Sequence, residues 1–187
     1  FNTFLGGMAE LISVPFILVC AWSLGDIVDQ MGTSEFLIHI VENYLTPGLV
    51  PGLIFLFGAF ISFATGSSWG VWSIMMPIAI PMAIAFDLSI PYVVASVIGG
   101  GLFGDQCSPI SDTTVMSSTG ASCNHVVHVM TQLPYGITVG VSAFIGFLFG
   151  GLSGQYILSI GVTAVILLIA LFALTKLSRI RHPEVIH

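Results

Sequence analysis

Long apolar runs separated by short clusters of Gly, Ser, Thr and Asp organise this chain. A helix that crosses a bilayer needs about 20 mostly apolar residues, and shorter runs point to broken or re-entrant segments. The run over residues 156–175 reaches that length without a charge, and residues 134–151 predict a second span, with Pro134 suited to a helix's first turn. The short link at 152–155 makes these two an antiparallel pair. Upstream, spans are predicted at about 5–25, 47–63 and 71–86, the last holding Pro77 and Pro81, where kinks are expected. Asp26, Asp29, Glu35 and Glu42 have no basic partner in sequence, so the segment between the first two spans reads as interfacial. The run at 92–104 is apolar for only about twelve residues before it closes on Gly99, Gly100 and Gly101, too short to cross alone.

Two of these runs stop at polar clusters. One is Thr65-Gly66-Ser67-Ser68-Trp69-Gly70, and the other is the break at 104–114, Gly-Asp-Gln-Cys-Ser-Pro-Ile-Ser-Asp-Thr-Thr. Non-helical backbone at membrane depth is tolerated only where protein or a water-filled cavity surrounds it. Paired broken helices are the sequence mark of a transporter's binding site. The expected fold is therefore an all-α polytopic membrane protein, with residues 1–187 forming a single transmembrane domain.

Composition agrees with the pattern. The chain is 56% hydrophobic and only 6% charged, against about a quarter charged in soluble domains, and its mean hydropathy is +1.05. A net charge of −6 with three basic residues excludes a nucleic-acid footprint. Those three, Lys176, Arg179 and Arg181, follow the last span and predict a cytoplasmic C-terminus in a cell membrane. Cys20, Cys107 and Cys123 make no disulfide framework. The start lacks Met and a basic signal region, so the chain reads as a fragment or a processed product.

The candidate chemistry lies in the breaks. A carboxylate at the bilayer centre costs roughly 2.5–3.5 kcal/mol, and neutralising it there with a proton costs a comparable amount, on the order of 4 kcal/mol. A carboxyl in that position can therefore exchange a cation for a proton cheaply, which is what a cation/proton exchanger requires. Asp105 and Asp112 are the candidates, with Asp112 ranked first and also readable as the N-cap of a short helix over 113–119 ended by Gly120. Ser108, Ser111, Thr113 and Thr114 add neutral oxygens suited to Na⁺, as do carbonyls freed around Pro109. Thr65, Ser67 and Ser68 offer hydroxyls from the first break. Histidine is the side chain suited to passing protons near neutral pH, which makes His125 and His128 candidates for a proton relay. With Cys123 they form an irregular Cys-x-His-x-x-His spacing that lacks a fourth ligand, so no resident metal or other cofactor is expected. The stretch Gly101-Leu-Phe-Gly-Asp105 resembles the Gly-x-Gly-Asp of intramembrane aspartyl proteases, but the spacing differs and no Tyr-Asp occurs, so an enzyme is not expected.

The run from Gly104 to Tyr135 resembles the signature of the NhaC-type Na⁺/H⁺ antiporter family. Residues 63–81 are similar to that family's preceding conserved break, and residues 21–36 to an earlier one, in the same order. Members are about twice as long, which makes this chain roughly the C-terminal half of an inverted-repeat transporter fold, with the N-terminal half as its partner. The resemblance implies Na⁺/H⁺ antiport, with Na⁺ and H⁺ as transported partners. It carries over to Thr65, Gly66, Ser67, Ser68 and Trp69 and to Gly104, Asp105, Ser108, Pro109, Ser111, Asp112, Thr113 and Thr114, while Gln106 and Asn124 stand where the family often has His and an acidic residue. Two alternatives stay open: a Na⁺/H⁺-coupled exchanger of small carboxylates or amino acids, and a channel or non-transporting membrane subunit. Homo-oligomerisation is also left open.

Overall fold

The computed structural model describes residues 46–181, with the side chains of the last five left out, and five isolated positions between 19 and 31. The span expected at 5–25 and the acidic segment after it lie outside the described residues. Among those described, a short 3₁₀ turn at Pro47–Leu49 leads into six α-helices: α1 (Val50–Thr65), α2 (Ser68–Ala85), α3 (Ile90–Cys107), α4 (Asp112–Gly120), α5 (His125–Ser153) and α6 (Tyr156–Arg181). No strand occurs among them. Four segments are long and apolar enough to cross a membrane, namely Pro47–Thr65, Ser68–Ala85, His125–Ser153 and Tyr156–Lys176. The protein is an all-α, multi-pass membrane protein.

Lipid tails are as apolar as leucine, so helices in a bilayer associate mainly through close packing, which small residues permit. The α1–α3 pair shows this directly. A Cβ added to Gly100 would meet the Phe55 carbonyl, and one added to Gly104 would meet the Ala59 carbonyl. Ser108, just past the end of α3, donates from Oγ to the Phe63 carbonyl at 2.8 Å. These partners advance four residues at a time on both helices, so α1 and α3 run parallel and end at the same level. Ser62 Oγ adds a bond across the pair to the Gly101 carbonyl at 2.6 Å.

Helix α2 fills the space beside them. Val71, Met75, Ala79 and Ala83 on one of its faces meet Val50 and Ile54 of α1 and Val93 and Val97 of α3 in the buried core. The helix runs unbroken through Pro77 and Pro81. Phe55 stacks on Phe103 at 5.8 Å and lies 5.4 Å from Phe147, tying α1 and α3 to α5.

Three boundaries differ from the sequence reading, each for a local reason. Helix α3 spans 18 residues. Gly99–Gly101 lie in its interior because they pack against Phe55, Phe147 and Trp72 instead of ending the helix. Helix α5 begins nine residues before Pro134, where the Asn124 side chain accepts from the Val127 N–H at 3.1 Å. Its 29 residues make it about 43 Å long at 1.5 Å per residue. The polar cluster at 65–70 shrinks to a two-residue connection, Gly66-Ser67, in which Gly66 takes φ 70° and caps α1. It reverses the chain between α1 and α2 and does not interrupt a span.

Candidate functional site

The parallel packing of α1 and α3 brings both polar clusters together. Gly66 sits against the Ile110 carbonyl, which a Cβ there would approach to 2.5 Å, and its own carbonyl accepts from the Asp112 N–H at 3.4 Å. Here φ 70° and the close approach both demand glycine.

Within the second break the backbone folds on its own side chains. The Ser108 N–H closes the last turn of α3 on the Asp105 carbonyl at 3.0 Å, and Ser108 Oγ accepts from the Ile110 N–H at 3.3 Å. Ser111, and not Asp112, is the N-cap of α4, since its Oγ accepts from the Thr114 N–H at 3.2 Å. Asp112 occupies the first turn, where the helix dipole favours an acid. Its Oδ1 accepts from the Thr113 N–H at 2.7 Å, and the residue is exposed.

Asp105 is the opposite case. It is 5% exposed, and its Oδ1 is fully enclosed with no hydrogen-bond partner among the described residues. Its other oxygen, Oδ2, accepts a long bond from Thr113 Oγ1 at 3.5 Å. Thr113 Oγ1 is 2.8 Å from Ser111 Oγ, so with Thr113 donating to the carboxylate, Ser111 is the donor of that pair. The two hydroxyls thus form a short chain leading to Asp105. All three basic residues lie at Lys176 or beyond, near the end of α6, a helix that packs mainly on α5 and touches the start of α3 at Tyr92, which stacks on Tyr156 and bonds Ser159. A buried carboxylate without a partner costs several kcal/mol unless a cation or a proton neutralises it. The arrangement at Asp105 can therefore bind either one.

The remaining candidates fall around this centre. Ser108 and Ser111 are fully buried, and Thr114 is 4% exposed, its Oγ1 accepting from Gln132 Nε2 at 3.4 Å. Ser68, at 5% exposed, is the first residue of α2, and Ser67 is its N-cap without a side-chain bond. Thr65 is exposed and bonds back to the Ile61 carbonyl at 2.9 Å. His125 and His128 face the serines of α4, not the carboxylate. His125 joins the Pro109 carbonyl at 2.7 Å and Ser118 Oγ at 3.1 Å, and His128 is 3.4 Å from Ser117 Oγ. His125 thus ties the break and α4 to the start of α5. Replacing it with Leu is expected to speed amide exchange across 108–120 by roughly thirtyfold, as two bonds of about 1 kcal/mol each are lost. Exchange at the wild-type rate would show that His125 does not hold the break.

Three residues contribute that the sequence reading does not assign to the site. Gln132 Nε2 donates to the Gln106 carbonyl at 2.8 Å and links α5 to the end of α3. Ser62 pairs with Gly101 as described. Trp72 buries an indole Nε1 that has no partner among the described residues and rests on Gly101. Ser62 carries a recognisable signal, a small residue four after Gly58, but Gln132 and Trp72 carry none.

A family model described as the Na⁺/H⁺ antiporter family matches residues 1–152. The chain belongs to the Na⁺/H⁺ antiporter family. That family is one of ion transporters, and α6 lies beyond the matched stretch. Over 172 residues the chain is 40% identical to an uncharacterized protein of Haemophilus influenzae, covering 91% of this chain and 33% of that one. It is 26% identical over 155 residues to the malate-2H⁺/Na⁺-lactate antiporter of Bacillus subtilis, covering 80% and 33%. A third relative, the arginine/ornithine antiporter ArcD of Halobacterium salinarum, is 27% identical over 135 residues, covering 72% and 27%. The chain spans about a third of the length of the curated relatives it matches, where the motif resemblance implies half. No solved structure matches it.

Proposed function

We propose that the protein exchanges Na⁺ for H⁺ across the cytoplasmic membrane, with Asp105 as the carboxylate that the two cations occupy in turn. The observation that carries this reading is the buried Asp105 carboxylate, one oxygen unpartnered, beside the point where both polar clusters meet. Thr113 lies on the other oxygen with Ser111 behind it, and these hydroxyls complete the ion's shell together with carbonyls of the break. Asp112 shapes α4 and faces outward, so it ranks second as a ligand. Lys176, Arg179 and Arg181 support a C-terminus on the cytoplasmic side. An NhaC-type subfamily and a C-terminal position in an inverted repeat fit the same motifs.

A second reading has its own support. Two relatives are named for malate/lactate and arginine/ornithine exchange, so an organic solute can travel on the same scaffold. The test is a flux measurement on the full-length protein in proteoliposomes holding a pH-sensitive dye. Imposing a Na⁺ gradient is expected to drive protons the opposite way, and replacing Na⁺ with K⁺ should stop the movement. Proton movement that ignores Na⁺ but follows added malate, lactate, arginine or ornithine would favour the second reading. No coupled movement of any kind would remove both.

A further inference from the structure

The two fully enclosed polar side-chain atoms left without partners among the described residues are Asp105 Oδ1 and Trp72 Nε1. They are not scattered. The Trp72 indole nitrogen rests on Gly101, so closely that a Cβ there would collide with it. Gly101 is four residues before Asp105 on the same helix, so the two positions share a face, with Cβ positions about 5–6 Å apart. Side chains on a helix lean toward its N-terminus, which inclines the Asp105 carboxylate toward the turn where the indole N–H lies. One atom can only accept and the other can only donate. No hydrogen bond joins them directly.

We propose that Trp72 is the second polar contact of the Asp105 site, and that the pair binds one O–H group, which donates to Asp105 Oδ1 and accepts from Trp72 Nε1. This rests on the reading of Asp105 as the transport site and adds a ligand class to it. A bare cation satisfies the carboxylate but leaves the indole N–H without an acceptor and close to positive charge. A single hydroxyl oxygen satisfies both atoms. Two sources carry that chemistry: a water molecule retained by the bound Na⁺, or the hydroxyl of a small hydroxy acid transported with it. Trp72 is then a positioning and selectivity residue whose function depends on its N–H and not on its ring.

Trp72→Phe separates these properties, because it keeps an aromatic ring and removes the N–H. In the full-length protein it is expected to raise half-saturating Na⁺, or half-saturating lactate, by about three- to tenfold, the worth of one hydrogen bond. A direct readout is the Nε1–H resonance of Trp72 in ¹⁵N-tryptophan-labelled protein, assigned by its loss in Trp72→Phe. A shift on adding Na⁺ alone identifies retained water. A shift that requires lactate and is absent with propionate, the same acid without the hydroxyl, identifies the solute. If neither moves the resonance and Trp72→Phe transports like wild type while Asp105→Asn is inactive, the proposal for Trp72 fails and the reading of Asp105 stands. If Asp105→Asn transports like wild type, the reading of Asp105 fails and the proposal goes with it.

Discussion

Asp105→Asn is expected to abolish Na⁺-driven proton exchange in the full-length protein, while Asp112→Asn retains it at a reduced rate. The amide is close in shape to the carboxyl and still offers an oxygen to Thr113 Oγ1, which lies 3.5 Å from Oδ2, so the break keeps its geometry. The amide lacks two properties of the carboxyl. It carries no charge for Na⁺, which should weaken binding by at least about tenfold, since contacts to a charged group are worth roughly 1.5–3 kcal/mol. It also cannot take up and release a proton, so exchange stops whatever the affinity. Stability supplies an independent check. Oδ1 is enclosed without a partner among the described residues, so neutralising it should leave the ligand-free protein as stable or more so. Wild-type protein should gain about 2.7 kcal/mol at Na⁺ a hundredfold above its dissociation constant, and Asp105→Asn should gain nothing. Wild-type exchange in Asp105→Asn, or Na⁺ stabilisation that survives the substitution, would take Asp105 out of the mechanism.

Much of this centre is legible in the amino-acid sequence. The hydrophobic pattern marks the apolar helices, and the scarcity of charge makes each aspartate conspicuous. The order of Asp105 and Asp112 is not legible there, because composition treats two carboxylates seven residues apart alike. What separates them is three-dimensional. Asp105 lies on the last turn of α3, facing the packed interior, whereas Asp112 follows the Ser111 cap and turns outward. The glycines mislead for a related reason. In water, Gly99–Gly101 would read as a helix end, but between membrane helices a missing side chain is a contact surface, and the helix continues through them. Pro134 misleads similarly, since a membrane helix tolerates an interior proline where its neighbours satisfy the freed groups. The sequence holds no sign of the role proposed for Trp72, because only packing against Gly101 reveals that its N–H has no partner among the described residues.

Gly104→Ala is expected to destabilise the protein by about 1–3 kcal/mol, and Gly104→Val by more, read as a loss of several degrees in the melting temperature of the detergent-solubilised protein. The reason is the nature of the obstacle. A Cβ at Gly104 meets the Ala59 carbonyl and, at 2.8 Å, the Phe63 nitrogen, both of them main chain. No rotamer change relieves main-chain contacts, and trimming an α1 side chain cannot rescue the variant, so α1 and α3 must separate. Separation also pulls Ser108 Oγ from the Phe63 carbonyl and the Asp112 N–H from Gly66, so the site should loosen with the helix pair. Gly161→Ala is the control. Nothing lies within 4 Å of a Cβ there, and alanine is the better helix former by roughly 0.5–1 kcal/mol. That variant should melt at or above the wild-type temperature and transport normally. If Gly104→Ala did the same, the close α1–α3 contact would not be what aligns the two breaks, and the position of Asp105 would need another cause.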